Sequence, residues 1–405
     1  MKEVVIIDAV RTPIGKFGGS LKDISAVDLG ATALKGVLER ANIAPERVDQ
    51  VIFGNVLQAG LGQNVARQIA IKAGIPYKVP GVTINEVCGS GLKSVMLGRQ
   101  AIQLGEADIV AVGGTENMSQ APLLLNPELA GEEIDPKKLR NSMLIDGLTD
   151  VYGEYHMGIT AENVAEKFSV TREEQDEFAH NSQMKAANAQ EKNLFEEEII
   201  PVKLPDGSFF EADETIRANS TLEKLATLKS VFKEGGTVTA GNASGINDGA
   251  SAIILMSKEK AVAENIPYIA TIKVTSEVGV DPALMGYAPY YAVNEALNKG
   301  GYSIDDIDLF HLNEAFASQS VAVARDLKIP EEKLNIYGGA IALGHPIGAS
   351  GARIIASLLN ELKHENKHIG VASLCVGGGI GIAIILEKLD SSTFNVNKKL
   401  KSANS

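Results

Sequence analysis

Val48-Asp49-Gln50-Val51-Ile52-Phe53-Gly54-Asn55 is a short β-branched run that closes on an asparagine, and it returns late in the chain as Ile307-Asp308-Leu309-Phe310-His311-Leu312-Asn313. The likeness continues downstream. Gly89-Ser90-Gly91 opens an apolar-periodic segment as Ala349-Ser350-Gly351 does, and each segment leads to a run that reaches glycines, Val112-Gly113-Gly114 and Val376-Gly377-Gly378. The asparagine-to-glycine spacing is alike in the two copies, 55 to 91 and 313 to 351. Matched order at matched spacing indicates a duplicated βαβ-type half, with the copies packed as one unit around shared helices. Around the first copy, β-branched runs at Val4–Asp8, Val51–Gly54, Val82–Ile84 and Ile109–Val112 alternate with helical patterns at Ala26–Ala41, Asn64–Ala73 and Cys88 to Gly105. Apolar runs too short for helices, alternating with helices, predict an α/β architecture.

Residues 119–247 break this rhythm. They are acidic and loop-rich, with one clear helix at Thr171–Gln190, opened by the capping box Thr171-Arg172-Glu173-Glu174. The stretch is read as an inserted, lid-like loop domain. That divides the chain into a first half at 1–118 with 248–268, the insert at 119–247, and a second half at 269–390. The charge run Glu128–Arg140 is expected to be an exposed loop or helix, and the polar, basic tail from Ser391 to Ser405 to be frayed.

The chain has 405 residues, forty glycines and two cysteines. Two cysteines cannot make a disulfide scaffold, which points to a reducing cytoplasm. The start, Met1-Lys2-Glu3-Val4-Val5-Ile6-Ile7-Asp8, meets acidic residues too early for a secretory leader. The longest apolar runs, such as Ala252–Met256 and Ile382–Leu386, are strand-sized. A formal net charge of −13 argues against nucleic acid or an anionic membrane as partner, while leaving room for an anionic ligand held by local cations or helix N-termini.

Both cysteines lie among small residues: Asn85-Glu86-Val87-Cys88-Gly89-Ser90-Gly91 and Cys375-Val376-Gly377-Gly378-Gly379. Cys88 precedes a helix start, where exposed N–H groups stabilise a thiolate and lower its pKa. The turn resembles a nucleophile elbow. Two readings of Cys88 stay open, a covalent nucleophile and a small core residue. His345, in Gly344-His345-Pro346-Ile347-Gly348, suits a general base for a thiol, with a capping or turn-stabilising role as the other reading. Asn313 either orients a base or polarises an oxygen, or is a turn residue, and Gly377-Gly378-Gly379 offers N–H groups to an oxyanion. That glycine run lacks the Gly-x-Gly-x-x-Gly spacing of a dinucleotide site. His364 and His368 have a metal-compatible spacing, but Lys363, Glu365, Asn366 and Lys367 around them read as solvated surface, so no metal is expected. A second thiol has no use in hydrolysis. It is useful where a second substrate must lose a proton, as in acyl transfer to carbon.

From Val4 to about Leu386 the chain resembles the thiolase family, and within it the short-chain biosynthetic acetyl-CoA C-acetyltransferases. The motifs that carry the resemblance are Val4–Pro13, the Cys88 loop, Asn313-Glu314-Ala315-Phe316, the His345 loop and the Cys375 loop, in that order. The resemblance implies the thiolase fold: duplicated βαβαβαββ halves in a five-layered αβαβα core with an inserted loop domain. It implies that Cys88 takes an acetyl group from acetyl-CoA while His345 accepts its proton, and that Cys375 then removes the α-proton of a second acetyl-CoA to give acetoacetyl-CoA and CoA. His345 with a water on Asn313 forms one oxyanion hole by this resemblance, and the N–H groups of Cys88 and Gly377 form the other. His156, Met157, Arg217, Ala240, Ser244, Met285 and Phe316 fall where the family contacts CoA and its pantetheine arm, with Met157 shortening the acyl pocket. Coenzyme A thioesters are then substrates and no cofactor is needed; a homodimer or homotetramer is the implied assembly. Lys224, His311 and the stretch Leu123–Leu139 depart from the family pattern. Weighed against this are a degradative, broad-chain 3-ketoacyl-CoA thiolase, a ketoacyl-carrier-protein synthase, disfavoured because those relatives carry a second His where Cys375 stands, and a non-catalytic CoA-binding scaffold, disfavoured because Cys88, Asn313, His345 and Cys375 are all present.

Overall fold

A computed structural model describes residues 2–389, apart from 127, 129, 130 and 132–134. The tail expected to fray, from Ser391 to Ser405, lies outside the described residues. The first half runs β1 (Val4–Arg11), α1 (Ala26–Arg40), β2 (Gln50–Gly54), α2 (Val65–Lys72), β3 (Gly81–Ile84), α3 (Ser90–Leu104) and β4 (Ile109–Asn117). The middle stretch carries α4 (Met157–Lys167) and α5 (Arg172–Glu191), and β5 (Asn247–Ser257) returns the chain to the first sheet. The second half runs β6 (Ala270–Gly279), α6 (Ala288–Gly300), β7 (Leu309–Leu312), α7 (Ala317–Leu327), α8 (Ile347–His364), β8 (Ile369–Val376) and β9 (Ile380–Lys388).

The strand order is β7-β8-β9-β6-β1-β5-β4-β2-β3, with the two-residue strand Gly15–Lys16 attached to β5. Read outward from the β6/β1 seam, the halves repeat one pattern. The pairs β1/β5 and β5/β4 are antiparallel and β4/β2 parallel; β6/β9 and β9/β8 are antiparallel and β8/β7 parallel. Where β3 extends the first half, the second has a lone parallel bridge between Phe310 and Leu334. The seam is short: only Val5↔Thr271 and Ile6↔Ala270 pair across it.

Side-chain alternation along the strands sets the layers, because successive residues face opposite sides of a sheet. Ile109, Ala111, Ile254 and Met256 pack with Leu34 and Val37 of α1 and Ile69 of α2. Val110, Val112, Ile253 and Leu255 pack instead with Leu92 and Val95 of α3 and with Ile354, Ile355 and Leu358 of α8. From the other half, Ile382 and Ile384 face this same central group, while Ala383 and Ile385 pack with Val293 and Ala296 of α6 and Val323 of α7. The result is five layers, αβαβα, with α3 and α8 in the middle.

These two helices approach closely where both carry glycine. A Cβ on Gly91 would lie 2.6 Å from the backbone nitrogen of Ala352, and one on Gly351 would lie 2.2 Å from that of Leu92. The paired Gly-Ser-Gly and Ala-Ser-Gly starts are therefore contact surfaces between the halves.

Several sequence boundaries move. Asn64 and Thr171 are caps rather than helical residues, each accepting a bond from the backbone N–H three residues on. β4 continues through Gly113 and Gly114 to Asn117. The middle stretch holds a second long helix, α4, which the sequence reading left within the loop-rich insert. Among the described residues no helix is long and apolar enough to cross a membrane.

Candidate active site

Cys88 stands between β3 and α3, two residues before the helix, so the sequence-based helix start at Cys88 falls outside it. Val87, just before it, has φ of +47°, a left-handed conformation that is an outlier for a β-branched residue and costs on the order of 1–3 kcal/mol. The turn holds it there. Ser90 Oγ accepts from the Glu86 N–H at 2.8 Å and donates to the Val87 carbonyl at 2.7 Å, and the Val87 N–H donates to Asn85 Oδ1 at 2.9 Å. At about 0.5–1.5 kcal/mol net apiece, these bonds offset the strain. The elbow geometry expected from the sequence is present, with its strain one residue before the thiol.

The second thiol, Cys375, is buried near the end of β8, and the chain then turns through Gly378 and Gly379, both at positive φ. This turn aims the Gly377 N–H at the Cys88 sulfur, which also receives its own backbone N–H. The thiols are near enough that ionisation of Cys88 disfavours ionisation of Cys375. Cys375 Sγ donates to Gln319 Oε1 at 3.0 Å.

A depressed pKa at Cys88 was expected from the helix start, and the structure gives the opposite direction. Although Cys88 keeps partial exposure, burial of its sulfur pushes the thiol up to about 12, with the Glu116 carboxylate acting the same way; the Gly377 and Cys88 N–H groups oppose them. Desolvation outweighs the peptide dipoles here. Burial raises Cys375 as well, with Cys88 adding to it.

His345 follows Gly344, whose φ is +113° and whose Cβ would meet Asn247 and Ile14. Asn247 Oδ1 accepts the His345 N–H at 2.9 Å, and Glu116 accepts the Gly348 N–H at 2.9 Å, so two residues of the first sheet hold the histidine loop. Burial, aided by the Arg353 guanidinium, lowers His345 to about 3 and keeps the imidazole neutral. Ser350 Oγ lies 2.6 Å from His345 Nδ1 and 2.9 Å from the Pro346 carbonyl; with its proton on that carbonyl it accepts from His345 Nδ1–H. Nε2 is left bare, the form a base requires.

Asn313 is brought to the same place. Its Nδ2 lies 3.4 Å from His345 Nδ1, and its Oδ1 accepts from Arg353 Nη2 at 3.0 Å. Arg353 Nη1 also donates to His311 Nε2 at 2.9 Å, and His311 Nδ1 lies 3.1 Å from Glu361 Oε1. His311, unusual in the sequence, is thus a buried link that steadies Arg353 behind Asn313. Asn55, its counterpart in the first copy, bonds Glu116 Oε1 at 2.9 Å and the Thr115 carbonyl at 3.0 Å, and serves as a brace.

Of the expected CoA contacts, Met157, Met285 and Phe316 are buried together with Cys375, Ala315 and Val238. The Met157 sulfur lies 3.7 Å from where a Gly377 Cβ would stand, against the meeting point of the thiols. His156 caps α4 by accepting the Gly158 N–H at 3.0 Å and stacks on Phe232, with centroids 4.5 Å apart. Phe232 meets Phe316 edge-on at 6.2 Å, completing an aromatic wall. Ser244 donates its N–H to the Ala315 carbonyl at 3.0 Å, and Ala240 is exposed nearby in the chain. Arg217 is exposed and tied by its backbone N–H to Gln183; among the described residues no recorded contact joins its guanidinium to the thiol cluster. Lys224 turns back to the Asn219 carbonyl at 3.1 Å. His364 faces Glu197 at 3.8 Å, and among the described residues no group of three His, Cys, Asp or Glu could hold a metal.

The sequence reading did not single out Gln319, Arg353, Phe232, Glu116 or Asn247, and it took Ser350 only as part of a helix start. Ser318-Gln319-Ser320, a polar triplet opening an otherwise Ala/Val-rich helix and wholly buried, is the one signal that pointed to any of them.

Comparison with known proteins agrees with this geometry. Residues 4–259 match the family described as Thiolase, N-terminal domain, and residues 266–388 match Thiolase, C-terminal domain. A probable acetyl-CoA acyltransferase of Staphylococcus aureus is 52% identical over 392 residues, spanning 96% of this chain and 100% of that protein. The crystal structure of the Bacillus anthracis acetyl-CoA acetyltransferase superposes with a TM-score of 0.93 at 43% identity, covering 96% of this chain and 99% of that one. Human mitochondrial 3-ketoacyl-CoA thiolase in complex with CoA gives a TM-score of 0.92 at 42% identity, covering 96% and 98%. The chain belongs to the thiolase family and is an acyltransferase.

Proposed function

We propose that this thiolase is an acetyl-CoA C-acetyltransferase, condensing two acetyl-CoA to acetoacetyl-CoA and CoA and running the reverse cleavage. The observation that carries the reading is the meeting of two thiols at the Gly377 N–H with the Met157 side chain against them, a space suited to a short acyl group. Cys88 passes its proton to His345 Nε2 as its sulfur attacks the thioester carbonyl. The CoA thiolate leaves and takes the Cys375 proton, so that a Cys375 thiolate and a His345 imidazolium remain. The thiolate removes an α-proton from a second acetyl-CoA. The resulting electron pair attacks the acetyl-Cys88 carbonyl, the carbon–sulfur bond breaks, and the Cys88 sulfur recovers its proton from His345. Each proton that leaves a group is returned, so no cofactor is consumed. The N–H groups of Cys88 and Gly377 are suited to the carbonyl oxygen of the acetyl-enzyme, and Asn313 with His345 to that of the thioester.

The test is to mix the protein with acetoacetyl-CoA and CoA and follow loss of the thioester enolate absorbance. Turnover is expected, with Cys88→Ala losing both turnover and acetyl labelling; a folded sample without turnover would sink the reading. A broad-chain 3-ketoacyl-CoA thiolase is the second reading, favoured by the likeness to the human mitochondrial enzyme. We also propose a homodimer or homotetramer working in the cytoplasm. The outer edge of β3 is open among the described residues and Val82 on it is exposed, which suits pairing with a second copy.

A further inference from the structure

Cys375 must hold a proton at one stage and surrender it at another, and a thiol with a free χ1 would do neither at a fixed position. Among the described residues the recorded side-chain partner of its sulfur is Gln319 Oε1, at 3.0 Å. Gln319 is itself fixed. It is 1% exposed, and its Nε2 donates to Ser320 Oγ at 2.9 Å and faces the Asn313 carbonyl at 3.4 Å. That carbonyl only accepts, so the amide nitrogen stays on its side and the amide oxygen on the side of Cys375. Ser320 Oγ lies 3.0 Å from the Phe316 carbonyl, which commits its hydroxyl proton there and leaves its lone pairs for Gln319. Cys375 is the titratable group in contact with Gln319, and Cys88 lies behind it, acting on Cys375.

We propose that Gln319 is the positioning residue of Cys375: it holds the thiol protonated and in one rotamer, aimed for proton transfer to the departing CoA thiolate, and receives it again after it has taken the α-proton. The same amide touches the backbone of Asn313, so one side chain sets the spacing between the carbon-acid step and the asparagine of the thioester site. This rests on the two-thiol reading above. A thiolate leaves carbon without an aligned acid, whereas the α-proton can be taken only by an aligned base, so the main effect of Gln319 falls on the carbon-acid step; among the described residues its side-chain hydrogen bonds go to Asn313, Ser320 and Cys375.

The experiment separates two rates in one preparation: acetylation of Cys88 by labelled acetyl-CoA, and washout of the acetyl-CoA methyl protons into deuterium oxide followed by NMR. Gln319→Met keeps the volume and removes both polar ends. It should leave acetylation within about twofold of the parent and lower methyl exchange and condensation by at least about tenfold, with KM for acetyl-CoA little changed, the size expected when a transferring group loses its alignment. Gln319→Glu adds a readout that a packing role would not move. Protonated, the new carboxyl can donate to the Asn313 carbonyl and accept from Cys375 as the amide does; ionised, it loses the donor and sets a negative charge beside the sulfur. Exchange by Gln319→Glu should therefore fall with rising pH relative to the parent. Equal loss of acetylation and exchange in folded Gln319→Met, or parent-like exchange in Gln319→Met, or a parent-like pH profile in Gln319→Glu, would overturn the assignment. Absence of acetylation in the parent itself would instead count against the two-thiol reading.

Discussion

Ser350 Oγ sits against His345 Nδ1 and the Pro346 carbonyl. In the tautomer the proposed function needs, the hydroxyl donates to that carbonyl and accepts from Nδ1–H, and Nε2 stays bare. Ser350→Ala removes the acceptor and lets the ring turn or change tautomer; Cys88 acetylation should fall about 10- to 100-fold, with Tm moving only a few degrees, as seen when the orienting partner of a functional histidine is lost. The pH profile belongs to this scale too. With His345 held near 3 and Cys88 near 12, the resting pair is neutral imidazole and thiol from mildly acidic to mildly alkaline solution, and the proton moves within the pair. The sign is that protonation of the base is disfavoured and loss of the thiol proton is disfavoured, so the pair does not titrate in between. Acetylation measured from pH 5 to 9 should carry no inflection of this pair; the neighbour that titrates in this window is Glu116, raised to about 7 by burial, so an inflection that survives Glu116→Gln would show that the imidazole titrates near its ordinary value of about 6.5. The sequence made the opposite direction at Cys88 attractive because it exposes a helix start and hides what surrounds the sulfur. Burial is a tertiary quantity, and Glu116 arrives from a strand distant in sequence.

At the scale of elements, the contact between α3 and α8 leaves no room for a side chain. Gly351→Val would drive its branches into the backbone of Leu92, so both helices must separate. The expected cost is at least about 1–3 kcal/mol, and more because the obstacle is backbone; the check is thermal unfolding, where Tm should drop by several degrees or the chain should fail to accumulate. This contact was legible in part. The repeated small-residue starts marked two equivalent helices, and alternation of apolar residues marked the strands beneath them. What the pattern could not convey was that the equivalent helices meet each other. Nor did it reveal α4: Met157, Ala161, Val164 and Ala165 fall at helical spacing, but the N-cap is a histidine and not Ser, Thr, Asp or Asn, so the start of the helix carries no cap signature. Cys88, Asn313, His345 and Cys375 were legible as residue types at strand ends and in small-residue loops. Of their supports, Gln319 carried a signal in its polar triplet, while the roles of Ser350 and Arg353 did not show, because a hydrogen-bond partner need carry no local pattern of its own.

At the scale of the whole molecule, the reactive space is assembled from every part of the chain. Cys88 comes from the first half, Met157 and Phe232 from the middle stretch, and Cys375, His345 and Asn313 from the second. Under the proposed function, the middle stretch supplies one wall of the space for the acyl chain. Met157→Ala should open the wall beside Gly377 and raise the relative rate on six- to eight-carbon 3-ketoacyl-CoAs over acetoacetyl-CoA by about tenfold, as one or two methylenes of pocket are worth about 1–3 kcal/mol. Rates compared across chain lengths would check this, and parent turnover that already favours long chains would move the protein to the broad-chain reading.

The short β1/β6 seam has a consequence for how such a molecule is held together in time. Two residue pairs cannot bind the halves, so the union depends on α3 and α8, and those helices lead directly from the Cys88 elbow and the His345 loop. Any loosening between the two halves would be felt first at the Cys88 turn and the His345 loop. Under the proposed function the joint and the reaction centre coincide, so turnover and the union of the halves would be lost together.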